Sequence, residues 1–339
     1  MSVTTKQIAE EAGVSMTTVT NVLNNRTQRV SKKTQEKVQA VIDKYQYIPN
    51  MNARSLASSK SGLIGLLYFS ENEHIDFSDP FVAEILQGIE NITRKNDYFV
   101  LVHNILDVTE IKRIQKYWKF EGFLIVGASS KSVIGISEVV NKKTPIVFID
   151  SHFTSNEEVN AENNRYFVAT DDFAAGQIAT KYLIEQGHRQ IAFVSYPYSE
   201  EYPNVIYYRK KGFDKVLKDE GIINENSNSF VSTNIEELIK KLSHYTAVVA
   251  SSDLLAMELI QQFKENRLIE TRKISIVGFD DLKYSKYIEP ALTTIAIQNI
   301  NKGETAATKL LNLLQGVEEP SETLLDSKLV VRDSVYTVE

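Results

Sequence analysis

Residues 9–24 read AEEAGVSMTTVTNVLN, and the placing of Gly13 and Ser15 inside them decides how the chain begins. Just upstream, Thr4 and Gln7 have the spacing of a capping box: a hydroxyl caps the helix and a Gln reaches back to the cap's amide. From there Ile8, Ala9 and Ala12 line one face of a short helix. Gly13 breaks it, Val14 plugs the corner, and Ser15 caps a second helix running to about Asn24, with Val19, Val22 and Leu23 turned inward. Two short helices joined by a Gly-containing turn form a helix-turn-helix, whose second helix docks in the major groove of DNA. Met16, Thr17, Thr18, Thr20 and Asn21 fall on its first turns and exposed face. Thr hydroxyls serve base or phosphate, Asn takes adenine through two bonds, and a Met thioether packs on a thymine methyl. A helical hairpin within a larger core would bury the same apolar positions. It gives no reason for polar Thr and Asn side chains on the outer face.

The residues that follow close a small domain. Ser31 is placed to cap a third helix in which Val38, Val41 and Ile42 recur at helical spacing. Lys32 and Lys33 at its start oppose the helix dipole, a cost that a DNA phosphate would offset and that solvation would also relieve. Between Met1 and Lys60 there are nine Lys or Arg and four Asp or Glu, a charge of +5, whereas the whole chain carries −6, so the remainder carries −11. A small basic head on a large acidic body fits a nucleic-acid-binding unit joined to something that does not bind nucleic acid. Tyr47-Ile48-Pro49-Asn50 ends the third helix before the proline. Residues 51–57, MNARSLA, are able to form two helical turns but too few to hold them alone.

The whole chain sets further bounds. Its 339 residues suffice for a head plus a two-domain body, and the absence of Cys excludes disulfide scaffolds and thiolate metal sites. The polar start MSVTTKQ is no signal peptide and no apolar run approaches membrane-spanning length, so a cytosolic protein with no membrane partner is expected. His74, His103, His152, His188 and His244 are scattered without ligand spacing, and no metal or cofactor is expected. With no GxGxxG, Walker loop or GxSxG, an enzyme would have to be built from carboxylates alone.

Beyond the head the pattern changes. Residues 63–69 are a continuous apolar run, as for a strand buried on both faces of a parallel sheet. After a loop over 70–79, Pro80 opens a helix with Phe81, Ile85, Ile89 and Ile92 in a stripe. Strands are expected at 99–103, 123–126 and 145–150, with a helix at 108–118. The pattern restarts at Phe167-Val168-Ala169, which leads into Asp171-Asp172 and a helix ending at Gly187. Strands at 191–195, 247–251, 274–279, 292–295 and 329–331 alternate with helices at 209–220, 254–266 and 301–314. Repeated strand–helix units give a doubly wound sheet. Two such α/β halves enclosing a crevice at the carboxyl ends of their strands form a ligand-binding architecture.

Taken together, the stretches 12–25 (AGVSMTTVTNVLNN), 47–57 (YIPNMNARSLA), 168–195, 274–281 (ISIVGFDD) and 291–298 (ALTTIAIQ), in that order, resemble the lactose/galactose repressor family of bacterial transcriptional regulators. The similarity spans essentially the whole chain. It implies a helix-turn-helix head over 1–49, a hinge helix and linker over 50–60, and a periplasmic-binding-protein-like body over 61–339. That body would comprise an N-subdomain of about 61–162 and 293–323 and a C-subdomain of about 163–292 and 324–339. It also implies a function: a sequence-specific repressor that binds a palindromic operator as a homodimer and answers to a small-molecule effector, a sugar or sugar phosphate.

The resemblance carries roles to individual residues. Thr5, Ser15, Met16, Thr17, Thr18, Thr20, Asn21, Asn24, Lys32 and Lys33 match positions that meet DNA in the head, and Asn52 and Arg54 match positions that do so in the hinge. Leu56 matches a leucine wedged into the minor groove at a central base step, an apolar insertion that bends the site; in isolation it reads equally as a linker residue packed on the body. Arg209, Asp253 and Asp280 match sugar contacts, an Arg fork between carboxylates suited to vicinal hydroxyls. Asp79 and Phe81 occupy the matching loop of the first half. Helix capping would also account for Asp253 and Asp280, and core packing for Phe81. Asp171 and Asp172 match a carboxylate beside the domain crossover, where capping and ligand contact both fit.

Two segments depart from the family pattern. The loop 70–79 is acidic and long, and residues 199–208 (SEEYPNVIYY) are aromatic where specificity is usually set, so no particular sugar is implied. The leucine-repeat tail of tetrameric members is absent, which favours a dimer. Two other classes compete. A solute-binding protein with the same body would need export and would have no use for the head. An enzyme of the crevice, with Asp253 and Asp280 as acid and base, lacks an activated nucleophile, a metal cage or a proton shuttle.

Overall fold

The computed structural model describes residues 3–23, 26–47, 60–69, 75–151, 161–201, 203–222, 229–232, 235–266 and 274–338. Asn24, Asn52, Arg54 and Leu56, and with them the expected hinge helix, lie outside the described residues. The chain divides into two compact units, Met1–Ser61 and Gly62–Glu339.

In the first unit, α1 (Thr5–Ala12) opens with both arms of a capping box: the Gln7 amide donates to Thr4 Oγ1 at 3.3 Å, and the Thr4 amide to Gln7 Oε1 at 2.8 Å. Gly13 ends the helix in the left-handed region (φ 66), where a side chain would be strained. Helix α2 (Met16–Leu23) starts on Ser15, whose hydroxyl accepts the Thr18 amide at 3.1 Å. Helix α3 (Lys32–Lys44) starts on Ser31, which accepts the Thr34 amide at 3.3 Å. Ile8, Ala9, Ala12, Val19, Val22, Val38 and Ile42 form the core of the three helices, with Val14, Leu23, Val41 and Tyr47 packed at its margin. The Glu11 carboxylate ties α1 to the end of α3 by accepting from Lys44 Nζ (2.5 Å) and Tyr45 OH (2.6 Å).

The second unit holds two six-stranded sheets. The N-subdomain sheet runs in the order β11-β5-β4-β3-β1-β2, from β1 (Leu63–Phe69), β2 (Phe99–Ile105), β3 (Gly122–Val126), β4 (Ile146–Ile149), β5 (Arg165–Thr170) and β11 (Glu322–Leu325). The C-subdomain sheet repeats that order as β12-β10-β9-β8-β6-β7, from β6 (Ile191–Ser195), β7 (Ser229–Val231), β8 (Ala247–Ala250), β9 (Ser275–Phe279), β10 (Thr293–Ala296) and β12 (Lys328–Val330). All neighbouring pairs are parallel except β10 with β12. The central strands are buried along their whole length, which is why they read as unbroken apolar runs.

Helices cover both faces. The N-subdomain contributes α4 (Pro80–Thr93), α5 (Thr109–Tyr117), α6 (Ser130–Val139) and α11 (Asn299–Leu314). The C-subdomain contributes α7 (Asp172–Glu185), α8 (Val205–Asp219), α9 (Ile235–Leu242) and α10 (Asp253–Glu265). In each half one pair of helices crosses glycine to glycine. Gly88 of α4 lies on Gly303 of α11, and Gly176 of α7 meets the α8 backbone near Gly212; a Cβ at any of the four would overlap backbone of the facing helix.

The subdomain boundaries differ from those expected from the sequence. Strand β5 pairs with β4, Ile146 opposite Arg165, so 165–170 belong to the N-subdomain. Strand β10 pairs with β9, Thr293 opposite Val277, so 293–296 belong to the C-subdomain. Strand β11 pairs with β5, so 324–325 remain in the N-subdomain. The chain crosses over after each of these strands, not before it. A buried strand looks the same in either sheet, so its sequence does not say which neighbour it takes. Helix α6 was not expected, because SKSVIGISEV carries a mid-helix Gly135 and four β-branched residues. Packing and capping compensate: Ser129 accepts the Ser132 amide, and the fully buried Arg165 donates to the last-turn carbonyls of Ser137 (3.2 Å) and Val140 (2.9 Å). Among the described residues no helix is long and apolar enough to cross a membrane.

Candidate functional site

In the head, helical spacing sorts α2 into two sides. Val19 and Val22 are buried, while Met16, Thr17 and Thr20 are exposed and Thr18 and Asn21 half-buried beside them. Thr18 Oγ1 pairs with Ser15 Oγ at 2.9 Å, and Thr20 Oγ1 donates to the Met16 carbonyl at 2.9 Å, so both hydroxyls are held against the helix. Met16, Thr17, Thr20 and Asn21 then form one continuous arc with short side chains. Thr5 is half-buried at the start of α1 and bonds Tyr47 OH at 2.9 Å. Lys32 and Lys33 stand exposed at the first turn of α3.

In the body, a crevice of about 680 Å³ opens between the subdomains at the carboxyl ends of their strands. Arg209, in the second turn of α8, is its most constrained element. Nε donates to Asp172 Oδ1 at 2.8 Å and Nη1 to the Ser251 carbonyl at 2.7 Å, while Nη2 stands 3.8 Å from Asp280 Oδ1. The guanidinium also lies 4.6 Å from the Phe279 ring centre. Asp280, directly after β9, holds a positive φ of 112, which aims its carboxylate off the strand end. Opposite, Asp79 lines the crevice from the start of α4, where it accepts the Phe81 amide at 3.0 Å, and Phe81 lines it while packing on the N-subdomain core.

Arg209, Asp280, Asp79 and Phe81 are therefore brought together at one cavity. Asp253, expected there as a ligand contact, is not. Its carboxylate is fully buried within the C-subdomain, accepting from the Leu282 amide (2.9 Å), Ser285 Oγ (2.5 Å) and Thr294 Oγ1 (2.5 Å). Its oxygens are committed to fixing the loop after β9, and the preceding residue, Ser252, faces the crevice instead. Asp171 caps α7 through the Ala174 amide at 2.9 Å, and Asp172 serves Arg209. Helix α8 begins at Val205 on an Asn204 cap, four residues before the expected start at 209, so the last four residues of the aromatic stretch 199–208 form its first turn.

Several lining residues escaped the sequence reading. The buried ion pair of Lys302 with both Asp150 oxygens (2.8 and 2.7 Å) forms part of the N-subdomain wall. Lys302 shares the inward stripe of α11 with Ala306 and Leu310, a spacing that marks it as buried, although a lone lysine in a helix ordinarily reads as solvent-facing. Asp150 directly follows β4, at a strand end facing the crevice. Ser251, Asn299, Tyr196 and Tyr198 also line it.

Burial pushes the Asp280 carboxyl up to about 8, with Asp253 and Asp172 adding to the rise and Arg209 and Lys302 opposing it. Because the folded value lies above that of an unfolded aspartate, ionising Asp280 opposes folding. The stability it contributes is full below the unfolded value of 3.8 and is lost as the pH rises through about 8. Asp280→Asn in the ligand-free protein is expected to raise the melting temperature above pH 8 and to leave it nearly unchanged at pH 4. Thermal melts across that range check this; an equal shift at both ends would contradict it.

A helix-turn-helix head followed by a two-lobed, crevice-bearing body defines a class: DNA-binding transcriptional regulators built on a solute-binding fold. The family model described as bacterial regulatory proteins, lacI family, matches residues 4–50, and that of the periplasmic binding protein-like domain matches residues 180–335. The HTH-type transcriptional regulator MalR of Clostridium butyricum is 30% identical over 98% of this chain and 99% of its own, and the ribose operon repressor of Haemophilus influenzae 29% identical over 99% of each. The chain belongs to the lacI family of bacterial regulatory proteins. The crystal structure of the lac repressor dimer bound to operator and the anti-inducer ONPF matches with a TM-score of 0.83 at 25% identity, covering 99% of this chain and 100% of that one. That of a LacI family regulator from Enterococcus faecium with bound ribose matches with a TM-score of 0.67 at 26% identity, covering 82% and 100%.

Proposed function

We propose that this regulator is a repressor that binds a near-palindromic operator as a homodimer in the cytoplasm and is released from it by a sugar or sugar phosphate held in the crevice. The observation that carries the reading is the Arg209–Asp280 arrangement at the floor of a ligand-sized cavity, on a chain whose α2 presents a short-chained polar arc. The ribose operon repressor and the ribose-bound regulator among the relatives support a sugar as effector. The cavity would bind its ligand without transforming it. One head buries only about 600–1,000 Å² against DNA, too little for tight specific binding, so two are required. Selection of operators from a random DNA pool by the full chain tests this: a two-fold symmetric consensus occupied by two protomers is expected, and an asymmetric or absent consensus would contradict it.

Within that operator, Asn21 and Thr17 would read bases while Lys32 and Lys33 hold the backbone. Asn21→Ala is expected to relax preference at one position by about 1–3 kcal/mol. Lys33→Ala should weaken binding to all sequences alike and reduce the salt dependence. Competition titrations against single-base operator variants distinguish the two; a uniform loss with Asn21→Ala would remove its assigned role.

A further inference from the structure

The charges and hydrogen-bonding groups lining the crevice narrow its ligand class, on the reading that it holds a sugar or sugar phosphate. The two cations among its described lining residues are already engaged. Lys302 Nζ lies within 2.8 Å of both Asp150 oxygens, and Arg209 donates to Asp172 and to the Ser251 carbonyl. Two carboxyl groups are left over: among the described residues Asp280 reaches only Arg209, at 3.8 Å, and Asp79 only the Phe81 amide. Burial raises the Asp79 carboxyl as well as that of Asp280, in the latter case despite the opposing charge of Arg209.

Helix starts are the other common anchor for an anion, since their free amides and dipole attract phosphate. Four helices begin at this crevice, and each already has one of its first-turn amides taken by its own side chain. Asp79 takes the Phe81 amide in α4, Ser129 the Ser132 amide in α6, Asn204 the Tyr207 amide in α8, and Ser252 the Leu255 amide in α10. The fifth, α11, has no side-chain cap, but its first turn is flanked by Asp150 on Lys302 and by Glu84, which accepts from Asn299 Nδ2 at 3.2 Å.

What remains unsatisfied is mostly acceptor. Asn299 is 1% exposed and its Oδ1 has no partner among the described residues; the Ser251 Oγ, equally buried, has none either, and both residues line the cavity. An amide oxygen and the Asp79 carboxylate call for hydrogen-bond donors, which hydroxyl and ammonium groups supply and ionised phosphate or carboxylate groups do not.

We infer that the crevice takes a polyhydroxylated ligand, with or without an amino substituent, and rejects one bearing a phosphate or carboxylate. An anionic group there would face Asp79, and Asp280 whenever it ionises, while both cations among the described lining residues are already held by Asp172 and Asp150, in a partly buried site where like charges repel more strongly than in water.

The test is a charge series on one ring at a time. Thermal unfolding of the full chain is followed with glucose, galactose, mannose and ribose, each as the neutral sugar, the amino sugar, the terminal phosphate and the corresponding sugar acid. For any ring that stabilises the protein, the neutral or amino form should bind at least about tenfold more tightly than either anionic form. Asp79→Asn should narrow that gap. A phosphate or acid form within tenfold of the best uncharged or amino form overturns the inference and leaves the sugar reading standing. No response to any ring in any form overturns the sugar reading itself.

Discussion

Arg209→Ala is expected to leave the protein folded and able to bind DNA, deaf to its crevice ligand, and less stable by about 3–5 kcal/mol. The size follows from what the guanidinium leaves behind. The Asp172 side chain is completely buried and accepts from Nε, so removing the guanidinium takes the cation away from a buried carboxylate. The Ser251 carbonyl loses its donor and the Phe279 ring its cation. Arg209→Lys keeps a charge but cannot span Asp172, the Ser251 carbonyl and Asp280 at once, and so should recover only part of the loss. Arg209→Met with Asp172→Leu removes both members of the buried pair and should recover most of the stability without the ligand response. Denaturant unfolding of the set separates these effects. A loss below about 1 kcal/mol for Arg209→Ala, with ligand binding intact, would mean that the fork is a surface-like pair rather than the clamp of the site.

Gly176→Ala should be the other severe substitution, although it removes no interaction. The added methyl would overlap the backbone carbonyl of Arg209, and its counterpart at Gly212 would overlap that of Phe173. Because the obstacle on each side is backbone, no rotamer change relieves it and α7 must move off α8. Overpacking of this kind costs about 1–3 kcal/mol or more. The displaced residue is Arg209 itself, so ligand affinity should fall together with stability. Gly221→Ala is the control for a general glycine effect, since a Cβ there meets nothing within 4 Å although φ is 65. Melting temperature and ligand affinity measured on both variants decide the matter: Gly221→Ala should leave affinity intact, and Gly176→Ala with undiminished affinity would show that the crossing does not position Arg209.

The head was legible almost residue by residue, because local signals set it: Thr4 with Gln7, Gly13, Ser15 and Ser31 fix where each helix starts or stops. The body was legible as alternating elements in two halves, but not in where one half gives way to the other. Strand β5 carries the same apolar run as any buried strand, and only its pairing with β4 and β11 shows where it belongs. At the crevice, Arg209 and Asp280 were reached through the family resemblance, and their places, one near the start of a helix and the other at a strand end, are where α/β folds collect ligands. Asp253 also follows closely on a strand, yet it points inward because Ser285 and Thr294 supply the hydroxyls that satisfy it. Those partners are 32 and 41 residues away, beyond the reach of any local pattern. Lys302 was overlooked for a related reason: its partner, Asp150, lies 152 residues earlier in the chain.

The central claim is that one chain reads DNA through α2 and is governed through Arg209 from the crevice. The most direct measurement is a titration of the selected operator with the full chain, wild type and Arg209→Ala, with and without a saturating concentration of a stabilising sugar. An effector shifts operator affinity only by its differential affinity for the two states, a coupling of about 1–3 kcal/mol in typical cases. Wild type should bind the operator at least about fivefold more weakly with the sugar present, a factor in the lower part of that range. Arg209→Ala should bind it equally in both conditions, with the affinity of sugar-free wild type. A wild-type operator affinity that does not change with saturating sugar would contradict the account.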